Sequence, residues 1–170
     1  MNRWHRLGCR SLCGVVALFF IAACAQFTPA PGINDSKNTF WSGRLALVVQ
    51  SEPVQQLYGG FELQGSAQVG DLTLLSPLGN ALAQVSWNAR GAQLKQGAQV
   101  QEFDSLDQLM QQLTGAPVPV AALFGWLRGE AATVPGWQAD LSRLADGRVN
   151  AQRTSPLPSA DLRIVLDAKP

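Results

Sequence analysis

Apolar side chains recur at every second position along much of the chain. Leu45, Leu47 and Val49 fall on one face of a first strand, and Leu57, Gly59, Phe61 and Leu63 on one face of a second. A third strand covers Leu72-Thr73-Leu74-Leu75, and Ala81, Ala83, Val85 and Trp87 line up on a fourth. Gly91 and Gly97 punctuate two short strands that follow. Successive side chains of a strand point to opposite faces, so an apolar period of two marks a half-buried sheet. The gaps are turns with no room for crossover helices, so neighbouring strands must run antiparallel.

The period then changes. Leu106, Leu109, Met110 and Leu113 stand at the i, i+3, i+4, i+7 spacing of one helix face. Ser105-Leu106-Asp107-Gln108 has the form of a capping box, and Gly115 sits where a helix C-cap is expected. Beyond the stiff Pro117 and Pro119, a second short helix is predicted with Val120, Leu123, Phe124 and Leu127 on one side and Gly129 at its end. Strand patterning resumes from Trp137 to Leu144, turns through Asp146-Gly147 as a two-residue hairpin, and returns from Arg148 to Gln152. Leu162, Ile164 and Leu166 alternate in a last strand over Asp161 to Asp167, after Pro156 and Pro158. The fold class expected is therefore mainly β with α, one antiparallel sheet curling around a pair of apolar helices. Whether sheet and helices pack solidly or leave a space between them is not decided by periodicity.

The first 23 residues belong to a different category. Arg3, Arg6 and Arg10 precede a short uncharged apolar run that ends in Ile21-Ala22-Ala23-Cys24. A basic start, a short apolar stretch and small residues at the cut site make an export signal. The run is about a dozen residues, where a membrane-spanning helix needs roughly 20. An aliphatic residue and two small ones ending on cysteine resemble the bacterial lipobox, which implies lipid attachment at Cys24. Ala25 is not the aspartate that keeps such proteins in the inner membrane, so an outer-membrane address facing the periplasm is expected. The organisation read from the chain is a signal over residues 1–23, a lipidated tether over residues 24–39 broken by Pro29, Pro31 and Gly32, and one domain over residues 40–170.

Removing the signal changes the charge and the chemistry. It takes three of the 13 basic residues and none of the 12 acids, so the formal charge moves from +1 to about −2. A weakly acidic domain without a basic patch gives no reason to expect nucleic acid as a partner. His5, Cys9 and Cys13 leave as well, so the mature chain has no histidine, and its single cysteine is Cys24. Histidine acid–base chemistry, Ser–His and Cys–His nucleophiles and ordinary zinc or copper sites are thereby excluded. Glu102, Asp104 and Asp107 lead into a helix, where first-turn acids favour the dipole. Neither Gly59-Gly60 nor the stretch from Gly125 to Gly129 has the form of a phosphate loop. No enzyme, no metal and no cofactor beyond the covalent lipid are expected.

Two segments resist a reading as ordinary core. Ser76-Pro77-Leu78-Gly79 places a leucine in the centre of a turn, and turns are usually polar. Leu78 either projects into solvent or folds back over the core, and the local pattern favours folding back. The other segment is Leu113-Thr114-Gly115-Ala116-Pro117-Val118-Pro119, continued by Trp126-Leu127-Arg128-Gly129. Taken in order with Gly43-Arg44-Leu45 and Gly60-Phe61-Glu62-Leu63, these segments resemble the LolB family of outer-membrane lipoprotein receptors. The resemblance covers roughly Trp41 to Trp137.

The resemblance implies an unclosed β-barrel, or half-barrel, with a short helical lid over an apolar cavity. It implies a receptor that takes lipoproteins from a LolA-type periplasmic carrier, holds their acyl chains, and inserts them into the outer membrane as a monomer. Leu45, Leu47, Phe61, Leu63, Leu74 and Val85 from the sheet, with Leu109, Leu113, Leu123 and Trp126 from the helices, would line that cavity. Leu78, between Pro77 and Gly79, aligns with the exposed leucine by which the family engages outer-membrane lipid, against the folded-back alternative. Leu63 stands where relatives often carry tryptophan, and Glu130-Ala131 replaces a Leu-Pro-like step, which leaves the far wall of the pocket open. A lipid-binding lipoprotein of the same fold that transfers no protein, and a structural envelope lipoprotein, are the alternatives.

Overall fold

The computed structural model describes residues 39–168. The expected signal, Cys24 and the tether up to residue 38 lie outside the described residues. The strands are β1 (Thr39–Val49), β2 (Gln55–Gly65), β3 (Gly70–Leu75), β4 (Ala81–Asn88), β5 (Gly91–Gln96), β6 (Gln99–Phe103), β7 (Trp137–Asp140), β8 (Arg148–Arg153) and β9 (Ala160–Leu166). Two helices, α1 (Leu106–Thr114) and α2 (Val120–Leu127), stand between β6 and β7.

All nine strands form one antiparallel sheet in the order β6-β5-β4-β3-β2-β1-β9-β8-β7. Its edges, β6 and β7, do not pair with each other, so the sheet is unclosed. That order determines where the helices go. The chain leaves the sheet at one edge and must re-enter at the other, and α1 and α2 make this crossing. The inner face they cover carries the buried side chains Trp41, Leu47, Phe61, Leu63, Leu72, Val85, Trp87 and Leu94. The last strand docks beside the first, with Leu45 opposite Ile164 and Leu47 opposite Leu162.

Local chemistry sets the helix ends. The Ser105 hydroxyl accepts from the Gln108 N–H at 3.2 Å, and the Gln108 side chain accepts from the Asp104 N–H at 3.2 Å. This is a capping box displaced by one residue, since the return bond reaches Asp104 and not Ser105. Gly115 closes α1 in the left-handed conformation at φ 71°, its N–H bonded to the Gln111 carbonyl. Helix α2 departs from the one-sided pattern expected. Val120 and every residue from Ala122 to Leu127 are buried, as befits a helix apolar all round.

The Asp146-Gly147 hairpin is also corrected. Strand β7 ends at Asp140, which pairs with Asn150, so the connection to β8 runs over residues 141–147 and contains a 3-10 turn at Leu144–Asp146. Gly147, at φ 71°, ends that turn and does not form half of a two-residue loop. The longer path lets Leu141 and Leu144 pack on the core, a gain that a tight hairpin would forfeit. Bonds from Ser142, its hydroxyl foremost and its N–H at 2.9 Å, start the bend and hold the Asp140 carboxyl below its ordinary pKa.

Candidate functional site

Sheet and helices do leave a space. A cavity of about 230 Å³ lies between them. Strand β1 contributes Leu45, Leu47 and Val49, β2 contributes Leu57 and Phe61, and β3 contributes Leu72 and Leu74. Strand β4 adds Leu82, Ala83 and Val85, while Met110, Leu113, Thr114, Val118, Val120 and Leu123 cover it from the helical side. The far wall is Leu162 and Ile164 of β9, placed there by pairing with β1.

No side chain on this wall ionises near neutral pH. Its polar members are Gln55, Gln56, Gln96 and Thr114. The buried Thr114 hydroxyl bonds to the Met110 carbonyl at 2.8 Å, so it presents little unsatisfied polarity. The three glutamines and Leu82 are exposed, so the cavity opens to the surface where they stand. Among the described residues no group of three His, Cys, Asp or Glu side chains is placed to hold a metal ion.

Seven of the ten side chains expected around the cavity border it: Leu45, Leu47, Phe61, Leu74, Val85, Leu113 and Leu123. Leu63, Leu109 and Trp126 are fully buried yet stand away from it. Leu63 lies opposite Trp41 in the sheet, two residues beyond Phe61, where the interior is filled by aromatic rings. On α1 the stripe at the cavity is Met110, Leu113 and Thr114, so Leu109 lies a quarter-turn away. Trp126 donates its indole N–H to the Ala132 carbonyl at 3.1 Å and lies 6.3 Å from the Trp137 ring. It seals the segment after α2 instead.

Several cavity residues escaped the sequence reading. Val49, Leu57, Leu162 and Ile164 share strand faces or alternation with the expected ones, so the signal existed. Leu82 had no such signal. A bulge shifts the register so that Leu74 pairs with Ala83 and Leu75 with Ala81, leaving Leu82 unpaired. Leu82 and Ala83 consequently both border the cavity, which alternation forbids in a regular strand.

Leu78 projects into solvent and is 87% exposed, so the folded-back alternative is excluded. The Gly79 N–H donates to the Ser76 carbonyl at 2.9 Å and the Ser76 N–H to the Asn80 carbonyl at 2.8 Å. Gly79, at φ 83°, supplies the left-handed residue that closes this turn. The hydrogen bonds hold the base of the loop while the leucine remains at its tip.

Residues 39–158 match the family described as Outer membrane lipoprotein LolB. This chain belongs to the LolB family. The LolB match takes in the sheet from β1 to β8 and both helices, and ends just before β9. The chain is 34% identical over 141 residues to the Outer-membrane lipoprotein LolB of Cupriavidus metallidurans, covering 80% of this chain and 68% of that protein. It is 32% identical over 168 residues to the LolB of Bordetella petrii, covering 84% and 83%. With the LolB of Ralstonia nicotianae it shares 36% over 141 residues, covering 78% and 66%.

Proposed function

We propose that this protein is an outer-membrane lipoprotein receptor, anchored by lipid on Cys24 and facing the periplasm. It takes client lipoproteins from a LolA-type carrier, holds acyl chain in the cavity between sheet and helices, and releases it into the membrane. The observation that carries this reading is the apolar cavity, walled by leucine, isoleucine, valine and phenylalanine and free of ionisable groups. A dry cavity of about 150 Å³ accepts a molecule the size of benzene, so the present space suits a segment of acyl chain.

The physical task is one of shielding, which needs no reactive side chain. At about 0.8 kcal/mol per methylene, exposing one long acyl chain to water costs on the order of 10 kcal/mol. Direct passage from one apolar cavity to another, and then to a bilayer, avoids that cost. Leu78 suits the last step, because an apolar tip enters the acyl boundary reversibly while covalent lipid gives lasting attachment.

The test is a transfer assay with the full lipidated protein in phospholipid vesicles and carrier loaded with a labelled lipoprotein. Label moving to the vesicles supports the receptor reading. Label remaining on the carrier, from a protein that still takes up a fluorescent fatty acid, would reduce the function to lipid binding.

A further inference from the structure

Leu78 is not the only leucine displayed on a proline-stiffened loop. The sequence Ser76-Pro77-Leu78 has a counterpart in Ser155-Pro156-Leu157. Leu157, between β8 and β9, is 81% exposed. Between β1 and β2, Glu52-Pro53-Val54 presents Val54, 49% exposed.

The antiparallel pairing places these three loops at the same end of the sheet, with β3 finishing opposite Gly60, five residues in from the start of β2. Strands β1, β3 and β8 all finish at one end of the sheet, and β2, β4 and β9 start there. In the sheet order β4-β3-β2-β1-β9-β8 the three loops belong to consecutive hairpins. Each is held from beneath by its own hydrogen bonds. The Ser51 hydroxyl donates to the Pro53 carbonyl at 2.8 Å. The buried Arg153 guanidinium donates to the Pro158 carbonyl at 3.0 Å, and the Gln50 N–H to the Ser159 carbonyl at 2.8 Å. The Leu78 and Leu157 loops contain no charged residue, and Glu52 is the one charge in the middle loop.

We infer that this end of the sheet is a bilayer seat, and that Leu157 is a second side chain entering the membrane beside Leu78. The inference rests on the proposed delivery of lipoproteins to a bilayer. Leu78 and Leu157 stand on uncharged loops and suit the acyl boundary, because neither of these two loops brings a charge to be desolvated on entry. Chain length allows it as well. Strand β1 begins at the opposite end of the sheet and its 11 residues rise about 36 Å. The 15 steps from Cys24 to Thr39 reach about 50 Å when extended. A lipid on Cys24 and the three hairpins can therefore engage the same bilayer.

The test uses the mature lipidated protein, in which the Cys24 thiol is occupied by lipid, in phosphatidylethanolamine–phosphatidylglycerol vesicles whose acyl chains carry nitroxide labels. Fluorophore is placed on single cysteines in Leu157→Cys, Leu78→Cys and Val69→Cys, with the parent chain giving the background. Val69 is 58% exposed and lies in the β2–β3 turn at the opposite end. Quenching at 157 should match that at 78 and exceed that at 69 several-fold. Quenching at 157 no greater than at 69, with 78 quenched, overturns the inference and leaves the role of Leu78 standing. Quenching at 157 without quenching at 78 overturns the inference that the two leucines enter side by side, and removes Leu78 from the membrane. If neither is quenched, both fall. Shielding of position 157 from aqueous iodide by the lipoprotein carrier, without quenching by lipid, assigns the surface to the carrier and overturns the inference too.

Discussion

The ring of Phe124 meets that of Trp41 edge to face, with centroids 5.7 Å apart and planes inclined by 68°. The same ring stands 6.1 Å from Trp87. Trp41 is near the start of β1 and Trp87 near the end of β4, so α2 is pinned at the end of the sheet opposite the three hairpins. Val120 and Leu123, toward the N-terminus of α2, reach the cavity. The aromatic cluster therefore closes one end of the half-barrel and leaves the space at the other.

Phe124→Ala removes the ring that both tryptophans contact. Truncating a fully buried phenylalanine destabilises by about 3–5 kcal/mol, and urea denaturation should show a loss in that range. A much smaller loss would mean that the aromatic cluster collapses around the gap.

Leu78→Glu tests the exposed tip. Because the side chain touches little, stability should change by no more than about 0.5 kcal/mol. Uptake of cargo from the carrier should persist while insertion into vesicles stops. Normal insertion by this variant would remove Leu78 from the mechanism.

Ala83→Phe fills the cavity from its wall. Ala83 is buried and borders the space, so the added ring has room to enter. The destabilisation should fall below the ~1–3 kcal/mol typical of overpacking a filled core. Binding of a fluorescent fatty acid should drop sharply in titration, and unchanged binding would place the lipid site elsewhere.

Gly115→Ala probes the end of α1, where φ is 71°. Nothing crowds the position, since the nearest atom to an added Cβ would be the Ser51 hydroxyl at 3.6 Å. The cost should be that of a left-handed alanine, about 1–2 kcal/mol, read as a lowered denaturation midpoint.

Cys24→Ala should abolish incorporation of radiolabelled fatty acid and release the protein into the soluble fraction. Label recovered from that variant would refute the anchor site.

Much of the architecture was legible because its causes are local. An apolar period of two is a property of single strands, and it located β1 to β4 from their own residues. The change to helical spacing, Ser105 and Gly115 bounded α1 in the same way. The Asp146-Gly147 turn misled because burying Leu141 and Leu144, a tertiary gain, outweighed a local turn preference.

Which faces are apolar and where the helices interrupt the strands follow from the residue order alone, as does the absence of histidine after His5 and of cysteine after Cys24. Packing between distant elements left a cavity in the interior, made β9 its far wall, and set Leu63, Leu109 and Trp126 away from it. It also turned Leu78 outward and gathered Leu78, Val54 and Leu157 at one end. Periodicity records the face on which a side chain lies and not its depth along that face. A void, by contrast, depends on how side chains from strands distant in the chain meet across the interior.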